Sequence, residues 1–559
     1  MTVQHLGDTA ADEAVALPWW ATAVVYQVYL RSFADGDGDG LGDIAGLRSR
    51  LPYLASLGVD ALWVNPWYPS PMEDAGYDVS DYRAIEPAFG TLADAEDFVR
   101  EAHECGFKVL LDIVPNHTSA THPWFEAALR DEPGARERYI FRAGRGPHGA
   151  EPPNDWRSNF GGPAWTRTTD PDGAPGEWYL HLFAPGQPDL EWSNPQVRGE
   201  FEDTLRFWFD RGIDGFRIDV AHGLSKAAGL PDAGDRDEGA QHNDPHPAWD
   251  QDEVHDIYRA WRKVADSYDP PRIFVAEAWV SGNDRLARYV RSDELHTAFQ
   301  FDLLRAPWRA AVLREVINDA AASAASVGAP STWVLSNHDV VRHATRYARS
   351  QPDRMMSNHW ERSRWAHETP DRELGLRRAR AAILLALALP GVAYLYQGEE
   401  LGLDEVEDIP GQLRQDPTWV QSGYTDPGRD GCRVPLPWSG GEPPFGFSPD
   451  HATAAPWLPQ PTSWAPLTAQ RQDGAGSSTL TLYRRALALR RERLADLTPL
   501  SWVGSPDGSL AFRRGWFSCW VNTGVRSIEL PAGRVLLAST PGTDGRRLPA
   551  DTTVWLAGL

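Results

Sequence analysis

Gly215-Phe216-Arg217-Ile218-Asp219-Val220 follows the amphipathic stretch Val197–Arg211. A long helical pattern feeds a short apolar run that ends in charge. Alternate residues of a strand face the same side, so Arg217 and Asp219 point together. The same unit recurs along the chain. Short β-branched or aromatic runs occur at Val24–Phe33, Ala61–Trp67, Val109–His117, Gly215–Val220, Ile273–Trp279, Ala298–Leu303, Thr332–Asp339 and Val392–Glu400. Amphipathic stretches such as Leu92–Cys105 and Leu374–Leu389 separate most of them. Alternating strand and helix implies parallel pairing with helical crossovers. Eight such units predict an α/β fold, a closed (β/α)8 TIM barrel.

Two segments break the alternation. Residues 118–194 are rich in Pro, Gly, Asp and Trp and read as a subdomain inserted after strand 3. A second insertion, 402–463, follows strand 8. Both leave from C-terminal strand ends, the face where barrel active sites sit. The barrel proper is then 19–117 and 195–478, with 1–18 as a leader. Residues 479–559 read as a C-terminal domain in which a helix gives way to short antiparallel strands.

Composition narrows the function. The 559 residues carry a net charge of −24, which argues against coating nucleic acid or an anionic membrane. No run is long and apolar enough to span a bilayer, and the first residues lack the apolar core of a signal peptide. Three separated cysteines (Cys105, Cys432 and Cys519) make no disulfide framework and fit a reducing compartment, so the expected location is cytoplasmic. The 25 Trp residues suit both a core and the underside of a sugar ring.

Polar residues gather at the strand ends: Asp112, Asn116 and His117; Arg217 and Asp219; Glu277; Asn337, His338 and Asp339. Taken singly, each has a structural explanation, such as an Arg217–Asp219 ion pair or a satisfied core acid. Three carboxylates converging from three strands with an Arg and two His are hard to assign to packing alone, since a buried carboxylate needs a partner. Asp112, deeper in its strand, reads as structural.

These strings resemble the signature regions of glycoside hydrolase family 13, the α-amylase superfamily. Asp112-Ile113-Val114-Pro115-Asn116-His117, Gly215–His222, Glu277 with its neighbours and Asn337-His338-Asp339 resemble its four regions in order. Gln187-Pro188-Asp189-Leu190 is similar to the extra region of the α-glucosidase and oligo-1,6-glucosidase subfamilies. The resemblance implies Asp219 as nucleophile, Glu277 as general acid/base and Asp339 as transition-state stabiliser. A retaining glycosidase needs two such carboxyl groups about 5–5.5 Å apart. Arg217 should keep Asp219 ionised, while an apolar strand beside Trp279 should keep Glu277 protonated. His117 and His338 would donate to the sugar. Within Gly76–Tyr82, Tyr77 would stack on the first sugar and Asp78 hold its terminal hydroxyls, paired with Arg433. Phe160, Phe183 and Gln187 would wall the site.

Asp35-Gly36-Asp37-Gly38-Asp39-Gly40-Leu41-Gly42-Asp43 alternates acid and Gly, an oxygen-rich turn suited to a hard cation. It resembles the subfamily's metal loop, which implies Asp35, Asp37, Asp39, the Leu41 carbonyl and Asp43 as ligands. Ca2+ is preferred over Mg2+, in a structural role.

The resulting expectation is a retaining, exo-acting α-glucosidase for maltose, sucrose and short malto-oligosaccharides, with transglycosylation as a side activity. The small oligosaccharide is the only partner implied. Alternatives are an oligo-1,6-glucosidase, suggested by Val220 after the nucleophile, and a sucrose or maltose isomerase. A non-enzymatic relative is disfavoured by the intact acids. A metal-dependent hydrolase would need a close His pair, and His242 and His246 are badly spaced around Pro245.

Overall fold

The computed structural model describes residues 17–170, 172–234, 246–353, 355–356, 365, 368–543 and 545–558. His242 lies outside them. Eight strands form the central sheet: β1 (Val24–Val28), β2 (Ala61–Val64), β3 (Lys108–Ile113), β4 (Gly215–Ile218), β5 (Ile273–Ala276), β6 (Thr297–Ala298), β7 (Thr332–Val334) and β8 (Val392–Tyr396). Their order is β7-β8-β1-β2-β3-β4-β5-β6, with every neighbouring pair parallel. The seam between β6 and β7 is stitched by a side chain. The Thr332 hydroxyl donates to the Ala298 carbonyl (2.6 Å) and accepts from the Gln300 N–H (2.9 Å). The sheet is thus a nearly closed barrel.

The two faces of each strand do different work. Val25, Trp63, Leu110, Val275 and Tyr394 point inward with Phe299 and form the barrel's own core. Tyr26, Leu62, Val109, Phe216 and Phe274 face out against the helices. The helix Leu92–Glu104 shows why those helices form. Thr91 and Asp94 make a reciprocal capping box, and Ala95, Phe98, Val99 and Ala102 place one apolar stripe against the sheet.

Strands β6 and β7 are shorter than their apolar runs predicted. After Ala298 the chain turns into the short helix Asp302–Arg305. After Val334, side chains replace the ladder: Ser336 Oγ bonds His343 Nδ1 (2.8 Å) and Asn337 Oδ1 takes the Asp339 N–H (2.9 Å). These departures free the strand ends to build a site.

The inserted segment holds a three-stranded antiparallel sheet of Phe141–Arg142, Pro175–Leu180 and Trp165–Thr169. A single bridge, His117 to Asp189, moors it to the segment that follows β3, and another, Tyr139 to Leu190, joins its two ends. The helix Thr479–Arg493 packs on the helices Leu51–Leu57 and Arg372–Ala388. Beyond it lies a five-stranded antiparallel sheet, in the order Ser501–Val503, Ser509–Arg514, Phe517–Asn522, Thr552–Ala557, Arg534–Ala538. The apolar helix Arg372–Ala388 is buried beneath that sheet, where Trp555 Nε1 and Thr553 Oγ1 donate to its Leu384 and Ala381 carbonyls. Among the described residues no helix is long and apolar enough to cross a membrane.

Candidate active site

Asp219 and Glu277 are the first residues past β4 and β5, and the parallel ladder carries them side by side. The Asp219 N–H donates to the Ile113 carbonyl (2.9 Å) and the Glu277 N–H to the Ile218 carbonyl (3.0 Å). Arg217, on the inner face of β4, lies over the Trp63 ring at 5.1 Å. Its Nη1 donates to Asp219 Oδ1 and to Asp112 Oδ1, both at 2.7 Å, and its Nη2 sits 2.6 Å from Glu277 Oε2. Asp112 Oδ2 accepts from Trp63 Nε1 (3.1 Å) and the Tyr77 hydroxyl (3.0 Å). Asp112 does not line the cavity, as its depth in the strand implied.

Arg217 was expected to keep the nucleophile ionised, yet its one guanidinium faces three buried carboxyl groups. Burial pushes Asp112 up to about 6 against the pull of Arg217. Burial likewise raises Asp219, aided by Glu277, Asp112 and Asp339 and opposed by Arg217. One positive charge cannot balance three negative ones in a dry site, so Asp112 and Asp219 stay above the usual carboxylate range despite Arg217.

Asp339 has different company. Arg433 Nη2 (3.0 Å) and Arg429 Nη1 (3.1 Å) both donate to its Oδ1, and His338 Nε2 lies 3.2 Å from its Oδ2. Burial would raise Asp339, but His338, Arg429 and Arg433 hold it well below the usual carboxylate range. Burial keeps the His338 ring neutral. The Gln27 amide sits 2.7 Å from Nδ1 and donates to it, which leaves the Nε2–H for Asp339. His338 also stacks on Tyr77, with ring centres 5.2 Å apart and planes 9° off parallel.

The loop after β2 corrects one expectation. Asp78 does not pair with Arg433 and does not line the cavity. Its carboxylate is buried in its own loop, accepting from Ser70 Oγ (2.7 Å), the Glu73 N–H (2.9 Å) and the Asp74 N–H (3.1 Å). The acid that faces the cavity is Asp74. Arg429 Nη2 donates to Asp74 Oδ1 (2.6 Å), and Gln187 Nε2 donates to Asp74 Oδ2 (3.1 Å). Arg429 is locked in turn by Asp416, which accepts from its Nε at 2.5 Å, and it lies over the Phe160 ring at 5.1 Å. Arg433 serves Asp339 instead. The His117 Nε2 is engaged by the Tyr77 carbonyl (3.0 Å) and Gln187 Nε2 (3.1 Å), so its polar atoms are spent within the protein.

These groups line a cavity of about 150 Å3. Tyr77, His117, Phe160, Phe183, Asp219, Glu277, His338 and Asp339 all reach it, as expected. Asp74, Asn159, His222, Trp249, Trp279 and Arg429 also reach it and were not anticipated. Gln187 touches the site through Asp74 and His117.

Residues 27–497 match the family model for the α-amylase catalytic domain. The chain belongs to the α-amylase family. It is 37% identical over 490 residues to a probable α-glucosidase of Rhizobium meliloti (strain 1021), covering 85% of this chain and 82% of that one. It is 34% identical over 508 residues to the oligo-1,6-glucosidase of Parageobacillus thermoglucosidasius, covering 85% and 84%. Among solved structures, the α-glucosyl transfer enzyme XgtA superposes with a TM-score of 0.83 at 33% identity, covering 97% of this chain and 100% of that one. An isomaltulose synthase variant from Erwinia rhapontici NX5, in complex with its natural substrate sucrose, gives 0.82 at 28% identity, covering 97% and 99%. As an α-amylase family member with these relatives, the chain is a glycoside hydrolase.

The acidic loop lies apart from the α-amylase family's strand-end acids. Asp35, Asp37 and Asp39 bring carboxylate oxygens within 4.8 Å of one another. No ion pair neutralises them among the described residues, and the all-oxygen donor set fits a hard divalent cation. Asp43 caps the helix Ile44–Ser49 through the Gly46 N–H (2.6 Å) and also takes the Gly36 N–H (2.9 Å). Leu41 enters the turn through its N–H, donated to Asp39 Oδ1 (2.8 Å). The loop is clamped to the second insertion: the Thr453 and Trp457 N–H groups donate to the Gly38 and Gly40 carbonyls at 2.9 and 3.1 Å. A Cβ at Gly40 would sit 2.2 Å from the Ala455 carbonyl oxygen, so only glycine fits there.

Proposed function

We propose that this glycoside hydrolase is a retaining, exo-acting α-glucosidase for maltose, sucrose and short malto-oligosaccharides. The observation that carries the reading is the closed end. The Asp74–Arg429 pair, backed by Asp416, lines the same cavity of about 150 Å3 as the acid cluster, and in this reading it stops the substrate chain there. A chain can then enter only by its terminal residue. The similarity to an α-glucosidase supports the same reading.

In this reading Asp219 Oδ attacks the anomeric carbon from below, forming an ester bond as the bond to the leaving oxygen breaks. Glu277 gives its proton to that oxygen. Water then attacks the same carbon, Glu277 takes the water's proton, and Asp219 is released with overall retention. Asp339, kept ionised by its two arginines, opposes the positive charge that grows on the ring. The shared Arg217 lets proton and charge redistribute between Asp219 and Glu277 without a new counter-ion. A sugar hydroxyl in place of water gives transglycosylation.

A second reading is favoured by Val220 and by the likeness to an isomaltulose synthase: α-1,6 hydrolysis, or rearrangement of sucrose without net hydrolysis. Product analysis over maltose, isomaltose, sucrose, trehalose and maltotriose decides between them. We expect glucose from maltose and sucrose, and glucose plus maltose from maltotriose. Faster cleavage of isomaltose, or a new disaccharide from sucrose with little free glucose, supports the second reading. Release of internal fragments only, or no cleavage at all, defeats the exo-glucosidase.

Asp35, Asp37 and Asp39, with Asp43 and the Leu41 carbonyl, are proposed to hold Ca2+, with Mg2+ as second choice. The ion would offset three crowded carboxylates and pin the second insertion that carries Arg429 and Arg433. Chelation should therefore lower the melting temperature by roughly 2–5 °C, and lower turnover at low temperature by less. An unchanged melting curve counts against a bound ion.

A further inference from the structure

Asp112 accepts hydrogen bonds on both oxygens, from Arg217 at Oδ1 and from Trp63 Nε1 and the Tyr77 hydroxyl at Oδ2. It sits at about 6, so at pH 8 it is ionised. An ionised carboxylate only accepts, so the single Tyr77 proton points at Asp112. That settles the next group. Asn65, the first residue past β2, lies 2.6 Å from the Tyr77 hydroxyl oxygen. The hydroxyl's proton is already given, so Asn65 presents its Nδ2–H there. Its Oδ1 then faces Gln27 and takes the Gln27 Nε2–H (3.0 Å). Gln27 Nε2 is in turn 2.7 Å from His338 Nδ1. An amide nitrogen only donates, so Nδ1 holds a lone pair and no proton.

The path runs across the barrel's interior: Asp112 on β3, Asn65 past β2, Gln27 on β1, then over to His338 past β7. Asp112, Tyr77, Asn65, Gln27 and His338 are all buried. Gln27 Oε1 has no partner. Turning the amide over would set that oxygen against Asn65 Oδ1, so the neighbours enforce the orientation in which both Nε2 hydrogens are used.

The His338 ring lines the cavity beside Asp339. Its Nε2 lies 3.2 Å from Asp339 Oδ2 and makes no hydrogen bond of ordinary geometry within the protein. With Nδ1 bare, the one ring proton sits on Nε2. The charged groups that face the ring are Asp339, which favours a second proton, and Arg433, Arg217 and Arg429, which oppose it together with burial. A second proton would also meet the Gln27 N–H head on. A cationic ring would oppose the positive charge that grows on the sugar and cancel part of what Asp339 supplies. We propose that the chain Asp112–Tyr77–Asn65–Gln27 holds His338 as the neutral Nε2–H tautomer, which offers the sugar a donor without a competing charge. Gln27 and Asn65 do not line the cavity and act as positioning residues. The catalytic half of this inference rests on the glucosidase reading above and deepens it.

Histidine-selective nitrogen-15 NMR at pH 8 reads the tautomer directly, with the His338 signals identified by their absence from His338→Gln. Wild type is expected to show a bare Nδ1 and a protonated Nε2. A protonated Nδ1 overturns the proposal outright. Gln27→Glu puts an acceptor where a donor faced Nδ1 at 2.7 Å. The ring should take a proton on Nδ1, and kcat/KM for p-nitrophenyl α-glucoside should fall by about tenfold or more. Binding of deoxynojirimycin, whose protonated ring nitrogen mimics the growing charge, should weaken more than binding of glucose. If the new carboxyl keeps its own proton and donates it, Nδ1 stays bare and activity should stay near wild type. Activity within twofold of wild type with Nδ1 protonated, or the full loss with Nδ1 bare, overturns the proposal, because activity would then follow the side chain and not the proton. If wild type cleaves no α-glucoside, the glucosidase reading has failed, and the spectrum still decides the tautomer.

Discussion

Asp219→Asn is expected to lower glucose release from p-nitrophenyl α-glucoside by roughly 10^4-fold or more, with a melting temperature no lower than wild type. The substitution is nearly isosteric, and its Oδ1 can still accept from Arg217 Nη1 at the 2.7 Å position. What it removes is the charge and the nucleophilic oxygen. Stability should hold because Asp219 is one of three acids around a single cation. A neutral amide relieves that crowding, whereas the native carboxyl is already pushed up by burial and by its neighbours. A slow substrate with a good leaving group should form a covalent glucosyl adduct on wild type, detectable by intact mass and mapped to the peptide containing Asp219. It should be absent from the variant. Activity within tenfold of wild type, or an adduct on another residue, would remove Asp219 from the mechanism.

The barrel and the acid cluster were legible for the same reason. Strand ends combine an apolar run, which announces the strand, with a polar residue that has no business in a core. Arg217, Asp219 and Glu277 are all of this kind. Asp74 is not. It sits in a loop after β2, where no periodicity singles it out, and its partner Arg429 is 355 residues further on. The visible acid in that stretch was Asp78, whose carboxylate instead caps the turn that holds Asp74 in place. Arg433 was found, but with the wrong partner. The Arg429–Arg433 segment contributes two guanidinium groups to the site, and adjacency in sequence does not say which acid each meets.

Trp249 and His222 illustrate a different limit. Trp249 lies in a stretch dense in Pro, Asp and His, where neither helical nor strand spacing operates. It reaches the cavity on a loop that Arg285 and Tyr289 hold through Asp250. The lengths of β6 and β7 were overread because apolar residues continue past the ladder. Phe299 and Phe301 face the barrel's inner core without pairing as strand. An inward apolar residue looks alike in sequence whether its backbone bonds a neighbouring strand or turns away.

Arg217→Met should be the most destabilising single change at the site, costing about 3–5 kcal/mol near pH 8, with catalysis lost as well. The side chain is buried, and the methionine fills much of its volume over Trp63, so the cost is electrostatic rather than a cavity. Without the guanidinium, Asp112, Asp219 and Glu277 lose their shared cation in a dry site. Asp112 already sits at about 6 with Arg217 present, and Asp219 is raised as well. Removing the cation moves both further up from the unfolded value of about 4. A carboxyl whose folded pKa exceeds its unfolded value binds more protons when folded, so its penalty grows as pH rises and is absent below the unfolded pKa. The difference in melting temperature between wild type and Arg217→Met should therefore be largest near pH 8 and shrink steadily toward pH 4–5. A pH-independent deficit would assign the loss to packing, and a deficit under about 1 kcal/mol at every pH would show that the three acids do not depend on this one cation.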